Sequence, residues 1–204
     1  MSLREREKIQ EMLYVGGNGM PICKECGNDH GKIHLSGEIQ EGVYCPDCFN
    51  EMIAADMDLK LEKYLDSISV QDGQGINRIF TIEKIVMPGF VSIEATEAKK
   101  DGYKFSVLGE FHCDQKKLFQ KLVEKVKRGI ANTYVKEEIT MNGQRFLTMI
   151  GDEIIGRIDW NENAETPMLN IDGKPYTWEE IGKMMMSNEG FQFRLEILDV
   201  SEEF

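Results

Sequence analysis

Four of the five cysteines in this sequence stand in two closely spaced pairs. Cys23 and Cys26 are separated by two residues, as are Cys45 and Cys48, and 18 residues lie between the pairs. Two intervening residues allow a tight turn to direct both thiolates at one ion, and two such turns complete the tetrahedron that zinc prefers. The spacing therefore predicts one bound zinc ion. Because cysteine occupies all four ligand positions, we expect the ion to be structural, with no position left for water or substrate.

The second pair, Cys45-Pro46-Asp47-Cys48, also has a spacing that is used for thiol–disulfide chemistry. A C-x-x-C at the start of a helix is typical of thioredoxin-like enzymes. That fold places the motif after a buried βαβ context, which residues 1–44 do not supply. The redox interpretation also leaves the first pair unexplained, so zinc binding is favoured.

The segments around the cysteines predict how they are positioned. Strand-like residues at 32–35 and 38–44, with a turn at Ser36-Gly37, predict a hairpin between the pairs, and apolar residues at helical spacing predict a helix from Cys48 to Leu65. A cysteine pair, a hairpin and a second pair on a helix together resemble the treble-clef class of zinc fingers. The resemblance covers about 45 residues and implies a fold rather than a task, since fingers of this class bind proteins, nucleic acids or nothing.

The chain divides into four predicted segments. They are a helix or extension over 1–19, a zinc module over 20–66, a linker over 67–77 that is rich in Ser, Gln, Asp and Gly, and an acidic domain over 78–204. In the last segment, strands are predicted at 78–86, 90–98, 103–111, 134–140, 145–150, 153–160 and 191–198, with alternating residues at 90–98, 103–111 and 191–198. Asn142-Gly143 predicts a hairpin turn between 134–140 and 145–150. Apolar periodicity and capping residues predict helices at 114–128 and 177–187. We therefore expect an α+β fold, mostly antiparallel, in the order βββαβββαβ.

The charge of the chain limits its partners. The formal net charge is −12, and residues 20–66 carry ten acidic residues against four lysines. Such a surface repels a phosphate backbone, so nucleic acid is not an expected ligand, whereas a basic protein is a suitable one. No apolar run reaches the length of a membrane span, and residues 1–10 do not have the character of a secretory signal, so a cytoplasmic protein is expected. These features favour a protein-binding or regulatory role, for example as an acidic inhibitor of a basic partner.

One basic segment supports the alternative of nucleic-acid association. Lys117, Lys121, Lys125 and Arg128 recur at helical spacing in the predicted helix at 114–128 and form one stripe. The stripe is interpreted either as a solvated face or as a docking site for an acidic partner or a phosphate backbone. Leu118, Leu122 and Val126 belong to a separate apolar stripe.

Sequence motifs for catalysis are weak, and we lean towards a protein that is not an enzyme. His112 and Cys113 are adjacent at the end of a predicted strand, where neighbouring side chains point to opposite faces, so they do not form a nucleophile and its base. Phosphate-binding glycine loops, nucleophile elbows and H-E-x-x-H motifs do not occur. An enzyme of unrecognised type remains the third hypothesis.

The C-terminal block resembles a known but functionally unassigned family. Residues Thr177–Ile181 and Glu189–Phe193 are similar to a segment of bacterial proteins that carry an N-terminal four-cysteine finger. The resemblance implies a bacterial or phage origin and no known activity.

Overall fold

A computed structural model of the chain describes residues 21–36, 41–161, 165–199 and 202. The predicted helix or extension over 1–19 lies outside these residues, as does Gly37 of the predicted hairpin turn. The chain forms two compact units, each assembled from separate stretches of sequence. Unit 1 comprises Met1–Tyr64, Glu83–Ile93 and Leu108–Leu118, and unit 2 comprises Leu65–Ile82, Glu94–Val107 and Phe119–Phe204.

The described residues contain α-helices and antiparallel sheets, which confirms the α+β class. The helices are α1 (Pro46–Asp56), α2 (Gln115–Gly129) and α3 (Trp178–Met185), and a 3₁₀ turn follows at Met186–Asn188. The strands are β1 (Ile33–Ser36), β2 (Glu41–Tyr44), β3 (Ser67–Gln71), β4 (Asn77–Met87), β5 (Phe90–Glu97), β6 (Lys104–Glu110), β7 (Val135–Ile139), β8 (Arg145–Met149), β9 (Arg157–Asp159), β10 (Met168–Ile171) and β11 (Lys174–Tyr176).

These strands form four sheets. Two are hairpins, β1–β2 and β7–β8, one is three-stranded in the order β11-β10-β9, and one is four-stranded in the order β3-β4-β5-β6. The β1–β2 pair is antiparallel with Ile33 opposite Tyr44, and the β7–β8 pair is antiparallel with Val135 opposite Met149. Both hairpins were predicted, the first from the spacer between the cysteine pairs and the second from the Asn142-Gly143 turn.

One apolar cluster of unit 1 lies around the cysteines. Its buried residues are Cys23, Ile33, Tyr44, Cys45 and Phe49. Partly buried apolar residues of α1 and β4 cover this cluster: they include Met52, Ile53, Ile85 and Met87. The small module therefore buries its apolar side chains against a strand that lies far along the chain.

The C-terminal part of unit 2 has a core of its own. It consists of Val135, Ile171, Tyr176, Ile181 and Met184. Helix α3 begins with a capping box, in which the Thr177 hydroxyl accepts from the Glu180 amide and the Glu180 carboxylate accepts from the Thr177 amide. This box was predicted from the T-x-x-E spacing.

Residues 67–77, predicted to be a linker, contain a strand and the turn that follows it. Ser67–Gln71 forms β3 and pairs with β4, with Ile68 opposite Phe80. The Asp and Gly residues that suggested a linker instead form the connecting turn. There the Asp72 carboxylate accepts from the Gln74 and Ile76 amides, and Gly75 has a φ of 82°. The same turn-forming residues are found between two strands of a hairpin and between two domains, so the sequence pattern does not distinguish a hairpin turn from a linker.

The order of elements near the C-terminus also differs from the prediction. Strands β10 and β11 were not predicted. The turn between them is Asp172-Gly173, a typical hairpin sequence, and both residues have the positive φ that this turn requires. The strand predicted at 153–160 is reduced to Arg157–Asp159. The predicted strand at 191–198 belongs to no sheet in the described chain, and its apolar side chains are exposed rather than buried.

Candidate metal centre

The first cysteine pair lies in a turn that main-chain hydrogen bonds close. The Gly27 amide donates to the Cys23 carbonyl at 2.9 Å, and Gly27 has a φ of 73°, which a residue with a side chain rarely adopts. The Lys24 amide donates to the Val43 carbonyl of β2 at 2.8 Å. The turn that carries Cys23 and Cys26 is therefore fixed to the hairpin that leads to the second pair.

The second pair lies at the start of α1. Cys45 is the N-cap of this helix, its sulfur accepts from the Cys48 amide at 3.5 Å, and Pro46 occupies the first turn, where its missing N–H group costs nothing. The helix N-terminus favours negative charge, and therefore favours thiolates at both positions.

The four sulfur atoms form one compact group. All lie within 4.8 Å of one another, and the Cys26 and Cys45 sulfurs are 3.8 Å apart. A tetrahedron with metal–sulfur bonds of about 2.3 Å has edges of about 3.8 Å. All four cysteines are free rather than joined in disulfides. These distances allow one metal ion to contact all four sulfur atoms.

The electrostatics of the group also fit a cation. Burial by itself raises the pKa of Cys23, but hydrogen bonds from the main chain of Cys26, Cys45 and Glu25 outweigh it and lower this pKa to about 6. Burial raises the pKa of Cys45 and of Cys48, and the neighbouring sulfurs contribute to the increase. One thiolate forms readily, whereas further thiolates are opposed by burial and by like charge. A divalent cation removes this opposition.

The Asn50 side chain helps to position the second cysteine pair, and it was not selected in the sequence analysis. Asn50 lies on α1, two residues after Cys48, and is only 3% exposed. Its Nδ2 donates to the Lys84 carbonyl at 2.7 Å, and its Oδ1 accepts from the Val86 amide at 2.7 Å. The side chain thus satisfies two main-chain groups of β4. No sequence motif marks a buried amide of this kind.

The predicted basic stripe does not exist as one surface. Lys117 and Lys121 are exposed on α2, but Lys125 is buried, and its Nζ donates to the Ser106 carbonyl at 3.2 Å and to the Glu202 carbonyl at 2.5 Å. Arg128 is exposed near the helix end. Lys125 therefore does not share an exposed face with Lys117 and Lys121.

The helix α2 itself was predicted correctly. Asp114 caps it, since its carboxylate accepts from the Lys116 and Lys117 amides at 3.1 Å. Its apolar stripe is buried: Leu118 is 5% exposed, and Leu122 and Val126 are fully buried.

His112 and Cys113 line a cleft of about 390 Å³ in unit 1, together with residues that include Glu62 and Gln115. Burial raises the pKa of Cys113, so its thiol stays protonated. A Cβ atom at Gly109 would lie 2.6 Å from the Cys113 sulfur, which shows that this side chain packs closely against the strand. The contacts of Cys113 are those of a packed structural residue.

A second polar cluster, in unit 2, was also not predicted. The Arg78 guanidinium donates to the Asp72 and Glu97 carboxylates, each at 2.8 Å, and lies 5.1 Å from the centre of the Tyr103 ring. The Tyr103 amide donates to the same Glu97 carboxylate at 3.0 Å. Burial opposes ionisation of Asp72, but hydrogen bonds from the Ile76 amide and from Arg78 hold its pKa below the ordinary value. Every buried side-chain polar atom in the described residues has a partner, which is typical of a structural network.

Comparison with known proteins assigns no activity. Among the described residues, no helix combines the length and apolar character that crossing a bilayer requires. No curated protein and no solved structure matches the chain. Residues 62–131 match the Domain of unknown function (DUF7686), and residues 134–202 match the Domain of unknown function (DUF7713). The chain is therefore similar to two domains of unknown function, and both matches begin after the four clustered cysteines.

Proposed function

We propose that this chain is a zinc protein in which Cys23, Cys26, Cys45 and Cys48 hold one structural ion in a treble-clef-like module. The observation that carries this proposal is the group of four sulfur atoms within 4.8 Å of one another. Four cysteine ligands complete the coordination of zinc, so the ion organises the module rather than activating water. The hairpin β1–β2 between the two pairs and the start of α1 at the second pair support the finer assignment.

Metal analysis of the purified full-length chain tests this assignment. We expect about one zinc ion per chain. Iron in place of zinc would contradict the identity of the ion, because four thiolates in tetrahedral geometry also suit iron. A metal-free protein in which Cys45 and Cys48 cycle between thiol and disulfide would instead support the redox interpretation.

We further propose that the protein acts by binding another protein, a basic one, as a regulatory or inhibitory partner. The chain has a net charge of −12, and the exposed acidic residues Asp47 and Glu51 lie on α1, which contains no lysine or arginine. Asp56, the last residue of α1, and Asp58, just beyond it, are also exposed acidic residues. Such a surface attracts basic partners by electrostatic steering and repels nucleic acid. The burial of Lys125 further reduces the basic surface that a phosphate backbone needs.

Capture of partners from the native cell tests this role. The wild-type chain and an Asp47→Lys/Glu51→Lys variant are used as baits, together with a matched control, Glu153→Lys/Glu165→Lys, which changes the charge equally at exposed positions of unit 2. We expect a basic protein that the wild type and the control retain, that the α1 variant loses, and that high salt releases. A nucleic acid as the retained ligand would contradict the proposal, and so would a protein retained equally by all three baits.

A further inference from the structure

An unusual feature of unit 2 is the apolar segment that follows the 3₁₀ turn, residues 191–198. Phe191, Phe193, Leu195 and Ile197 are each between 68% and 87% exposed. In the described chain, residues 192–198 belong to no helix or strand, and none of their main-chain amides donates to another main-chain carbonyl. Four exposed large apolar side chains within seven residues are a typical sign of an interaction surface.

The segment has the pattern of a strand that lacks a neighbour. Apolar residues alternate with Gln192, Arg194 and Glu196 at a period of two. The Arg194 guanidinium and the Glu196 carboxylate are 2.9 Å apart, so these two polar side chains lie on the same side of the segment. The match to DUF7713 extends to residue 202, so the segment belongs to the region shared with that domain family.

The charges of this segment are complementary to a second copy of itself. In an antiparallel pair centred on Leu195, residue 194 of one copy lies opposite residue 196 of the other. By symmetry the pair then contains two Arg194–Glu196 contacts, one at each side of the centre. On the apolar side, Leu195 faces Leu195 of the other copy and Phe193 faces Ile197. The segment has one positive and one negative residue, so it avoids the repulsion that a net charge of −12 creates elsewhere on the chain.

From this complementarity we infer that two copies of the chain associate by antiparallel pairing of residues 191–198. The pairing supplies main-chain hydrogen-bond partners and brings apolar side chains of the two strands into contact on one face. In the register centred on Leu195 it joins residues 192–198, only seven positions, and a two-stranded pair is marginally stable by itself. We therefore expect a concentration-dependent dimer with a dissociation constant in the micromolar range. This inference is independent of the proposed zinc site and of the proposed basic partner.

Charge reversal tests the pairing and its register. Light scattering combined with size exclusion, over a range of concentrations, measures dimerisation of the full chain. Arg194→Glu alone places Glu opposite Glu, and Glu196→Arg alone places Arg opposite Arg, so each is expected to raise the dissociation constant about tenfold. The double variant Arg194→Glu/Glu196→Arg restores two opposite-charge pairs and is expected to recover the dimer.

Disulfide trapping tests the same register by a second route. In the Leu195→Cys variant the two new cysteines lie directly opposite, with a Cα separation of about 4.5–5.5 Å, which suits a disulfide. In the control Gln192→Cys, the new cysteines are about 20 Å apart along the strands. We expect a covalent dimer from Leu195→Cys in excess of that from the control and from the wild type. A chain that stays monomeric at hundreds of micromolar would overturn the inference. A dimer that is insensitive to the charge reversals, and that Leu195→Cys does not crosslink more than the control, would overturn it as well.

Discussion

The side-chain amide of Asn50 and the main-chain amide of Val86 are joined by a 2.7 Å hydrogen bond between residues 36 positions apart. The same side chain donates to the Lys84 carbonyl, so one residue of α1 satisfies two polar groups of β4. The Asn50 side chain makes the hydrogen bonds that a neighbouring strand would otherwise make. Its removal is costly, because the carbonyl and the amide of β4 lose their partner without gaining water.

We expect Asn50→Leu to lower the free energy of unfolding by about 1–3 kcal/mol, since the Lys84 carbonyl and the Val86 amide then remain buried and unsatisfied. Denaturant unfolding of the metal-loaded chain measures the change. Glu51→Ala, on the exposed side of the same helix, is the matched control and should change stability by less than about 0.5 kcal/mol. Equal stability of the Asn50 variant and the wild type would contradict the role assigned to this side chain.

Substitution of any one metal ligand should release or weaken the ion. We expect Cys23→Ser and Cys48→Ser to reduce the zinc content well below one ion per chain and to lower the melting temperature, because binding of the ion contributes directly to folding of the module. Elemental analysis and thermal unfolding provide the two measurements. Cys113→Ser serves as the control, because Cys113 is not one of the four clustered cysteines, and it should retain the ion. Loss of zinc from the control alone would refute the ligand assignment.

Acid should destabilise the protein partly through Asp72. Its pKa is lower in the folded chain than in the unfolded chain, so the unfolded chain binds the extra proton. The stabilisation is complete above the ordinary aspartate value of about 4 and is lost as the pH falls through the lower folded value. We expect Asp72→Asn to be less stable than the wild type at pH 7 and to lose less stability on acidification. Denaturant unfolding between pH 7 and pH 3 measures both effects, and the exposed Asp56→Asn is the control that should follow the wild-type curve.

The lysines of α2 should differ sharply in their tolerance of charge reversal. Lys117→Glu and Lys121→Glu change exposed positions and should leave the melting temperature within a few degrees of the wild type. Lys125→Glu places a carboxylate beside the Ser106 and Glu202 carbonyls that Lys125 now satisfies, and should cost about 2–4 kcal/mol. Thermal unfolding makes the comparison within one helix. If all three substitutions had the same small effect, Lys125 would be a solvated residue after all.

Local sequence was sufficient to predict the cysteine cluster, the β7–β8 hairpin and the helices α2 and α3. These features depend on residues a few positions apart: a two-residue spacing that directs two thiols, an Asn-Gly turn between two strands, apolar residues at helical spacing, and a capping residue with its partner three positions on. The cap at Asp114 and the capping box at Thr177 are both found where their local patterns place them.

Tertiary structure decided which polar side chains are buried and which apolar ones are exposed. Lys125 has the same spacing as its exposed neighbours, yet carbonyls from residues 106 and 202 surround its ammonium group. Phe193 and Leu195 have the alternation of a buried strand, yet no strand of the described chain lies beside them. Periodicity specifies which side chains share a face, because it follows from backbone geometry. Whether that face meets solvent, a carbonyl or another strand depends on residues far away in sequence, and these come together only when the chain folds.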